Sequence, residues 1–267
     1  MVSIIIVNYN QKNFLKQCLK NIKEANLKLD YEIIVVDNNS TDGSREILTR
    51  FKISDLRFKI ILNRENLGFA KANNQGIKLS QGKYILILNP DIIVLPGTIE
   101  VLYQFMEAHP EVTLCGPKLL NPDKSIQYSC CRFPTLYTPV LRRTFLGKVP
   151  FFRKKLEEYL MKDFDHARPC EVDWLLGAAL AMRRSGLDKI GFFDERFFLY
   201  FEDVDLARRA HKAGLKVYYV PASQMYHFHQ RLSATHSAFP ALFSKITWIH
   251  IASAIKYFWK WSPTLHR

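Results

Sequence analysis

The sequence lacks several features that would place it in other classes of protein. Its 267 residues contain no run of about 18 uncharged apolar residues, so we expect no membrane-spanning helix. Residues 1–9 are apolar but carry no basic leader or small-residue cleavage site, so they predict a first strand rather than a signal peptide. With 48% hydrophobic residues the chain can bury a sizeable core, which excludes a disordered protein.

Cysteines are few and do not form a metal-binding pattern. The five of them are odd in number, and none has the paired spacing of a zinc site. We therefore expect reduced thiols, as in a cytosolic protein. The cysteines are Cys18, Cys115, Cys130, Cys131 and Cys170.

Acidic residues are absent from the end of the chain. No Asp or Glu follows Asp205, whereas nine Lys or Arg do, and residues 142–155 hold six bases and no acid. Because the net charge is +13, the rest of the chain carries about −2. Positive charge concentrated in this way predicts an anionic partner such as phosphate, nucleic acid or acidic lipid. A basic surface that is merely solvated is the alternative.

The first hundred residues alternate between two kinds of apolar pattern. Short β-branched runs typical of buried strands lie at 2–7, 33–36, 58–62 and 84–88. Helical spacing lies between them at 14–25, 44–51 and 68–79. Strand and helix in alternation predict an α/β fold with a largely parallel sheet and helices on both faces. The length fits one or two domains.

Polar clusters follow each of these four strands. They are Asn8-Tyr9-Asn10, residues 37–43, residues 63–68 and Asn89-Pro90-Asp91. Each cluster alone could be a helix cap or a turn. Because the carboxyl ends of parallel strands meet at one edge of a sheet, the four together predict a ligand site there.

A second group of polar residues lies between 171 and 229. Residues 172–179 form a strand-like run containing small residues, and residues 216–221 predict one more strand. Glu202 and Asp203 begin a predicted helix, where acids could simply favour the helix dipole. His227 and His229 would share one face of an extended segment, but no zinc-type spacing accompanies them, so a structural role is the alternative.

Residues 241–261 predict a helix with an apolar stripe and bases beside it. The stripe could pack on the domain or lie in a membrane interface, and both interpretations stay open. Its members are Trp248, Ile251, Ala252, Ile255, Phe258 and Trp259.

Several segments together resemble a family 2 glycosyltransferase. Residues 2–10 and 35–44 look like the start of that family, and residues 66–76, 88–91 and 198–206 continue the match. The resemblance covers roughly residues 1–235 and is specific as a set. The Asn-Pro-Asp form and the Tyr-Phe-Glu-Asp-Val-Asp segment are most similar to the rhamnosyltransferase branch, which builds bacterial surface polysaccharides from dTDP-L-rhamnose.

The resemblance implies a GT-A fold and inverting transfer from a nucleoside-diphosphate sugar. Residues 1–235 would form the catalytic domain, with a nucleotide-sugar half over 1–115 and an acceptor half over 116–235. Residues 236–267 would add a basic amphipathic C-terminal helix.

The resemblance also implies a role for individual residues. Asp203 would be the general base, and Trp174, Gly177 and Glu202 would border the acceptor. Asp91 and His227 would hold Mg²⁺ or Mn²⁺. The residues matching nucleotide-sugar binding are Asn8, Tyr9, Asn10, Asp37, Arg64, Asn66, Gly68, Asn89, Asp91 and Arg231.

Two features of these residues affect the chemistry. Asn89 replaces the first acid of the family's Asp-x-Asp motif, and one negative charge fewer would weaken metal affinity. Inverting substitution needs a carboxylate to take the acceptor proton and cationic help for the leaving diphosphate. The charge of Glu202 would raise the pKa of Asp203, whereas a helix N-terminus would lower it.

The implied partners are the nucleotide-sugar donor, a polyprenyl-diphosphate-linked or polysaccharide acceptor, and an anionic membrane surface met by residues 142–155 and the tail helix. The protein would then be cytoplasmic, peripheral on the inner face of the cell membrane. The sequence sets neither the donor sugar nor the oligomeric state, and a UDP-sugar donor is an alternative.

Two other classes of protein fit the sequence less well. A nucleotidyltransferase would carry a Gly-rich basic loop after the first strand, and residues 8–11 are not one. A nucleic-acid-binding module is disfavoured because four carboxylates would repel phosphate without a metal, so no nucleic-acid partner is expected. These carboxylates are Asp37, Asp91, Glu202 and Asp203.

Overall fold

The computed structural model describes residues 1–51, 57–142, 144–228 and 244–262. The strands are β1 (Val2–Asn8), β2 (Tyr31–Asp37), β3 (Arg57–Leu62), β4 (Tyr84–Leu88), β5 (Ile92–Val94), β6 (Val112–Leu120), β7 (Ile126–Gln127), β8 (Cys130–Cys131), β9 (Cys170–Glu171), β10 (Trp174–Leu175), β11 (Ala179–Arg183) and β12 (Lys216–His227). The helices are α1 (Lys12–Glu24), α2 (Ser44–Arg50), α3 (Phe69–Leu79), α4 (Thr98–Ala108), α5 (Thr138–Leu141), α6 (Pro150–Tyr159), α7 (Arg184–Ile190), α8 (Glu202–Lys212) and α9 (Lys245–Lys260), with a 3₁₀ turn at Phe145–Lys148.

Most strands form one central sheet in the order β3-β2-β1-β4-β11-β6-β12-β5. Strands β3, β2, β1 and β4 run parallel, and β11 runs antiparallel between β4 and β6. β12 is parallel to β6 and pairs its end with β5. The predicted α/β fold with a mostly parallel sheet is therefore confirmed.

Alternate side chains of each buried strand serve two separate cores. Ile4 and Ile6 of β1 lie in the core that includes Leu19 of α1, whereas Ile5 faces the core that includes Ile77 of α3. Successive side chains of a strand point to opposite faces, so a strand with helices on both sides must be apolar throughout. Each fully buried Ile or Leu contributes roughly 1.5–3 kcal/mol.

Two predicted strands have different bounds in the structure. The run 172–179 is divided into β10 and β11, because the backbone N–H of Gly177 donates to the carboxylate of Asp203 rather than to the backbone of a neighbouring strand. The strand predicted at 216–221 continues to His227 as β12. Its pairing with β6 shifts register between Val220 and Gln224, where Pro221 has no N–H to donate.

The C-terminal helix packs on the domain mainly through residues outside the predicted stripe. Thr247, Ser253 and Tyr257 are buried, whereas Trp248 and Trp259 are 60% and 59% exposed. Most of the stripe therefore faces outwards, and of its members Phe258 is half-buried and packs against the core. In the ranges that the structure describes, no helix is long and apolar enough to cross a membrane.

The five cysteines are free thiols. Four are buried, and Cys170 is half-buried.

Candidate active site

The carboxyl edge of the parallel strands gathers the predicted polar clusters. Asn8 at the end of β1 lies opposite Asp37 at the end of β2, and Asp37 lies opposite Leu62 of β3. Asn63 follows directly, and its backbone N–H bonds the Asp37 carbonyl at 2.9 Å. Neighbouring strands of one sheet thus end side by side, as the sequence predicts.

The carboxylate of Asp37 lies beneath this edge and organises it. Asn8 Nδ2 donates to Oδ2 at 3.1 Å, and the Ser40 N–H and Arg45 Nε donate to Oδ1 at 3.0 and 2.8 Å. Burial alone would raise the pKa of Asp37, but these hydrogen bonds outweigh it and hold the pKa below its usual range. Sequence reasoning missed Arg45. Its position in the first turn of α2, where the helix dipole disfavours a cation, is a signal that could have found it.

A network of amides holds the loop after β3. Asn38 Nδ2 donates to Asn66 Oδ1 at 2.7 Å, and Asn38 Oδ1 accepts from the Leu67 N–H at 3.0 Å. Asn66 Oδ1 also accepts from the Gly68 N–H at 3.0 Å. The Asn66 side chain therefore shapes this loop directly.

Gly68 lies where the loop meets the segment that leads into α8. Its φ is +82°, and a Cβ there would lie 2.4 Å from the Phe198 carbonyl oxygen. The same carbonyl accepts from the Phe69 N–H at 2.7 Å. A side chain would break this approach, so the site needs glycine here.

The remaining residues of the predicted nucleotide wall lie at its rim. Tyr9 is 48% exposed, and Arg64 is exposed. Asn10 has a φ of +52°, and its Oδ1 accepts from the Thr41 N–H at 2.7 Å. Asn10 thus ties the loop after β1 to the loop after β2. Arg231 lies outside the described residues.

Asp91 and His227 are brought together by the pairing of β5 with β12. His227 lies opposite Ile92, and its Nε2 is 3.5 Å from Asp91 Oδ1. His227 Nδ1 lies 2.5 Å from Gln127 Oε1, which orients the ring. Gln127 is 100 residues away in sequence on a two-residue strand, so no local pattern indicates it.

These side chains fit a divalent cation. Asp91 Oδ1 is buried and accepts no hydrogen bond from the residues that the structure describes, which is unusual for a carboxylate oxygen that has no cation beside it. Asn89, two residues earlier in the chain, carries an amide oxygen of the kind that can bind a divalent cation. In the described ranges no group of three or more His, Cys, Asp or Glu side chains could hold a metal. Such a small donor set suits a cation that also binds substrate phosphates.

Asp203 lies in the first turn of α8 beside this site. Its Oδ2 accepts from the Gly177 N–H at 2.9 Å, and its Oδ1 accepts from the Val204 N–H at 2.8 Å. The backbone carbonyl of Ala178, the residue after Gly177, accepts from the Asn89 N–H at 2.8 Å. The segment Gly177–Ala178 therefore connects Asp203 to the Asn89–Asp91 loop.

Burial makes the Glu202–Asp203 pair unusually basic. It raises the pKa of Asp203 to about 6, although the hydrogen bonds from Gly177 and Val204 lower it in part. Burial and the charge of Asp203 raise the pKa of Glu202 well above its usual range, and Glu202 Oε2 accepts no hydrogen bond. Burial thus outweighs the helix N-terminus. A pKa near neutrality suits a general base.

The turn before α8 is strained and is held by α9. Tyr200 and Phe201 have φ of +70° and +68°, a region that bulky residues rarely adopt. Ser253 Oγ donates to the Leu199 carbonyl at 2.8 Å, and the rings of Phe201 and Tyr257 lie 5.2 Å apart. No pattern in the sequence indicates this contact.

Trp174 belongs to β10, three residues before Gly177 in the chain. Its ring is buried, and its Nε1 donates to the Arg132 carbonyl at 2.8 Å. Its place beside an acceptor stays a prediction.

The sequence was then compared with known proteins. The model of the family described as "Glycosyl transferase family 2" matches residues 3–191. The chain belongs to glycosyltransferase family 2. The matched range contains the four strand-end clusters and Gly177, and it ends before Glu202 and Asp203.

Two relatives of this family 2 glycosyltransferase align over nearly their whole length. The N-acetylglucosaminyl-diphospho-decaprenol L-rhamnosyltransferase of Mycobacterium tuberculosis is 28% identical, over 97% of this chain and 87% of the relative. Rhamnosyltransferase WbbL of Escherichia coli is also 28% identical, over 96% of this chain and 92% of the relative. The resemblance to rhamnosyltransferases is confirmed at the level of sequence.

Solved structures confirm the GT-A fold. The mannosyltransferase PcManGT from Pyrobaculum calidifontis, in complex with GDP-Man and Mn²⁺, superposes with a TM-score of 0.59 at 20% identity over 86% of this chain. GalNAc-T7 with UDP, GalNAc and Mn²⁺ superposes with a TM-score of 0.69 at 14% identity over 99% of this chain. The chain spans 58% and 48% of those two chains.

Proposed function

We propose that this glycosyltransferase moves L-rhamnose from dTDP-L-rhamnose to a lipid-linked or polysaccharide acceptor during synthesis of a bacterial cell-surface glycan. The relatives that align over nearly their whole length are both named as rhamnosyltransferases. One observation of the site carries the proposal. A buried basic carboxylate, Asp203, is joined through Gly177–Ala178 to the loop of Asp91, which faces His227.

The proposed reaction is an inverting substitution with Asp203 as the base. The acceptor hydroxyl loses its proton to the Asp203 carboxylate as its oxygen attacks the anomeric carbon, and the bond to the donor diphosphate breaks on the opposite face. The N–H groups of Gly177 and Val204 fix the carboxylate in position. Glu202 is proposed to border the acceptor, and burial and the charge of Asp203 raise its pKa well above the usual range.

Asp91 and His227 are proposed to hold Mg²⁺ or Mn²⁺, with Asn89 beside them. When bound, the cation would neutralise negative charge on the departing diphosphate. The buried Asp91 oxygen without a hydrogen bond supports this assignment. Two of the similar solved structures are complexes with Mn²⁺, which agrees with a divalent ion.

The donor nucleotide is proposed to bind at the strand-end edge. Tyr9, Asn10 and Arg64 stand at its rim, whereas Asn8 and Asp37 lie beneath it and order the loops around it. Asn66 and Gly68 shape the adjoining loop, and Arg231 is proposed to contact the diphosphate.

The acceptor is proposed to be a sugar on a polyprenyl diphosphate, because the M. tuberculosis relative is named for such an acceptor. Trp174 and Gly177 would lie on its side of the site. An enzyme with this acceptor works at a membrane, so we place it peripherally on the cytoplasmic face.

A thermal-shift panel tests the donor. It compares dTDP-L-rhamnose, UDP-glucose, UDP-N-acetylglucosamine and GDP-mannose, each with and without Mn²⁺, because the tightest ligand raises the melting temperature most. We expect a metal-dependent shift with dTDP-L-rhamnose that is lost in Asp91→Ala. It should be kept in Asp188→Ala, an exposed acid on α7. A shift with a UDP-sugar alone would overturn the rhamnose assignment and keep the transferase.

A further inference from the structure

One exposed surface combines apolar and basic side chains beside the site. It is formed by residues 136–142 and 148–155, around α5 and α6, and is called here the α5–α6 surface. Leu136 and Phe151 are 73% and 64% exposed, and Val140 is 50% exposed. Apolar side chains exposed together in this way mark an interaction site.

Basic side chains surround these apolar residues. Arg142, Lys148, Arg153 and Lys154 are exposed. The ammonium of Lys155 lies 4.7 Å from the centre of the Phe151 ring and 5.1 Å from that of Tyr137. The acids of α6 are Glu157, which faces Arg153 at 3.8 Å, and Glu158, so the surface stays positive.

We propose that the α5–α6 surface docks on an anionic lipid bilayer, with its apolar side chains in the headgroup region and its bases on lipid phosphates. The charge of the surface matches acidic headgroups, and its aromatic and aliphatic residues match the apolar layer beneath them. Docking rests on the proposed function in one respect, because the bilayer would hold the lipid-linked acceptor of the transfer.

Arg142 connects this surface to the base. It follows the last residue of α5, and its guanidinium lies 5.8 Å from the centre of the Tyr159 ring. Its charge lowers the pKa of Asp203 in part. A sugar whose hydroxyl reaches Asp203 would bring its own diphosphate towards Arg142, and its prenyl chain towards the bilayer.

The outward part of the α9 stripe is the rival surface, but two of the three lysines of α9 have other partners. Lys256 Nζ donates to the Arg196 carbonyl at 2.8 Å. Lys260 Nζ lies 2.8 Å from Asp194 and 2.7 Å from Asp205. These lysines fasten α9 to the domain rather than face a lipid phosphate. The charge therefore favours the α5–α6 surface.

Vesicle flotation of the full chain tests the proposal. Vesicles of phosphatidylglycerol and phosphatidylethanolamine are compared with vesicles of phosphatidylcholine alone. We expect binding to the first kind only, weakened about tenfold or more in Lys148→Gln/Lys154→Gln and in Leu136→Ser/Phe151→Ser. The matched controls are Lys16→Gln/Lys23→Gln on α1, which are also exposed, and Ile255→Ser/Trp259→Ser on α9. Both controls should float like the wild type.

Three results would overturn the proposal: equal flotation of the wild type and the α5–α6 variants, loss of flotation in the α9 variant alone, or a dimer by light scattering that the Leu136→Ser/Phe151→Ser variant abolishes. The donor thermal shift, measured on the same samples, reports folding and the proposed function separately. Variants that keep the donor shift and lose flotation support docking. A wild type that floats but shows no shift with dTDP-L-rhamnose would contradict the proposed donor and leave the docking surface standing.

Discussion

The carboxylate of Asp203 is buried beside a second carboxyl, and this environment sets its acidity. Burial raises its pKa to about 6, and burial with the charge of Asp203 raises the pKa of Glu202 well above its usual range. A base with this pKa is mostly ionised at neutral pH and becomes protonated below it. Activity should therefore fall on the acid side as the pair takes up a proton.

We predict that kcat/KM rises with pH through about 6. In Glu202→Gln the rise should stay at about the same pH, because the raised pKa of Glu202 keeps this carboxyl protonated and uncharged where Asp203 ionises. The measurement is a pH–rate profile for the wild type and the variant. An acid limb that moves to lower pH in Glu202→Gln would show a charge on Glu202 beside Asp203 and would contradict this order of ionisation.

Burial of an ionised group should also cost stability. The native state holds its proton at Asp203 more tightly than the unfolded chain does, so the wild type loses stability as pH rises from about 4 through about 6. We predict that Asp203→Asn gains in melting temperature relative to the wild type across that range. Its Oδ1 can still accept from Gly177. Asp188→Asn, at an exposed position, should show no such trend.

Gly68 tests whether the loop after β3 must approach Phe198. In Gly68→Ala the new Cβ would meet a backbone carbonyl at 2.4 Å, so the strand-end loop or the turn before α8 must shift. Gly97→Ala is the control, because its φ is +79° and no atom lies within 4 Å of the new Cβ. We predict that Gly97→Ala costs roughly 1 kcal/mol of unfolding free energy and Gly68→Ala roughly 2 kcal/mol more. Equal costs in urea unfolding would disprove the close approach.

At the scale of elements, α9 supports the turn that aims the base. It bonds the Leu199 carbonyl through Ser253, packs Tyr257 on Phe201 and places Trp261 Nε1 2.9 Å from Asp205. These contacts hold two bulky residues at positive φ directly before Glu202. The helix therefore acts through the backbone on the carboxylate of Asp203, the proposed base.

We predict that Ser253→Ala lowers kcat several-fold and leaves the donor KM unchanged, since the hydroxyl positions the base and does not touch the donor. Ser253→Thr should restore kcat, because it keeps the hydroxyl. Ser125→Ala, on an exposed turn, serves as the control. A change in donor KM with constant kcat would show that the contact does not serve the base.

Apolar periodicity was enough to predict most elements of the first hundred residues. The runs at 2–7 and 84–88 became β1 and β4, since side chains buried on both faces leave a continuous apolar pattern. The division at Gly177 was not predictable, because a carboxylate 26 residues away takes its N–H. The orientation of α9 was hidden for a similar reason: its inner face bonds the domain through Ser253 and Lys256 rather than through its apolar stripe.

At the scale of the whole molecule, strand order explains why distant residues meet. β12 returns next to β5 and brings His227 to Asp91, and the start of β11 lies against the Asn89 loop and brings Gly177 near it. The family resemblance anticipated which residues converge here. It could not supply Arg45, Gln127 or Arg142, whose positions depend on tertiary contacts.

The most direct test of the account is transfer itself. The wild type and Asp203→Asn are each incubated as the full chain with dTDP-L-rhamnose, Mn²⁺ and a synthetic N-acetylglucosaminyl-diphospho-prenol. Mass spectrometry reports the sugar added, and NMR reports the configuration of the new anomeric bond. We predict that the wild type adds one deoxyhexose in the inverted configuration. Asp203→Asn should form no product while its donor thermal shift is unchanged. Product formed by Asp203→Asn at the wild-type rate, or a retained configuration, would contradict the assignment of Asp203 as the base of an inverting transfer.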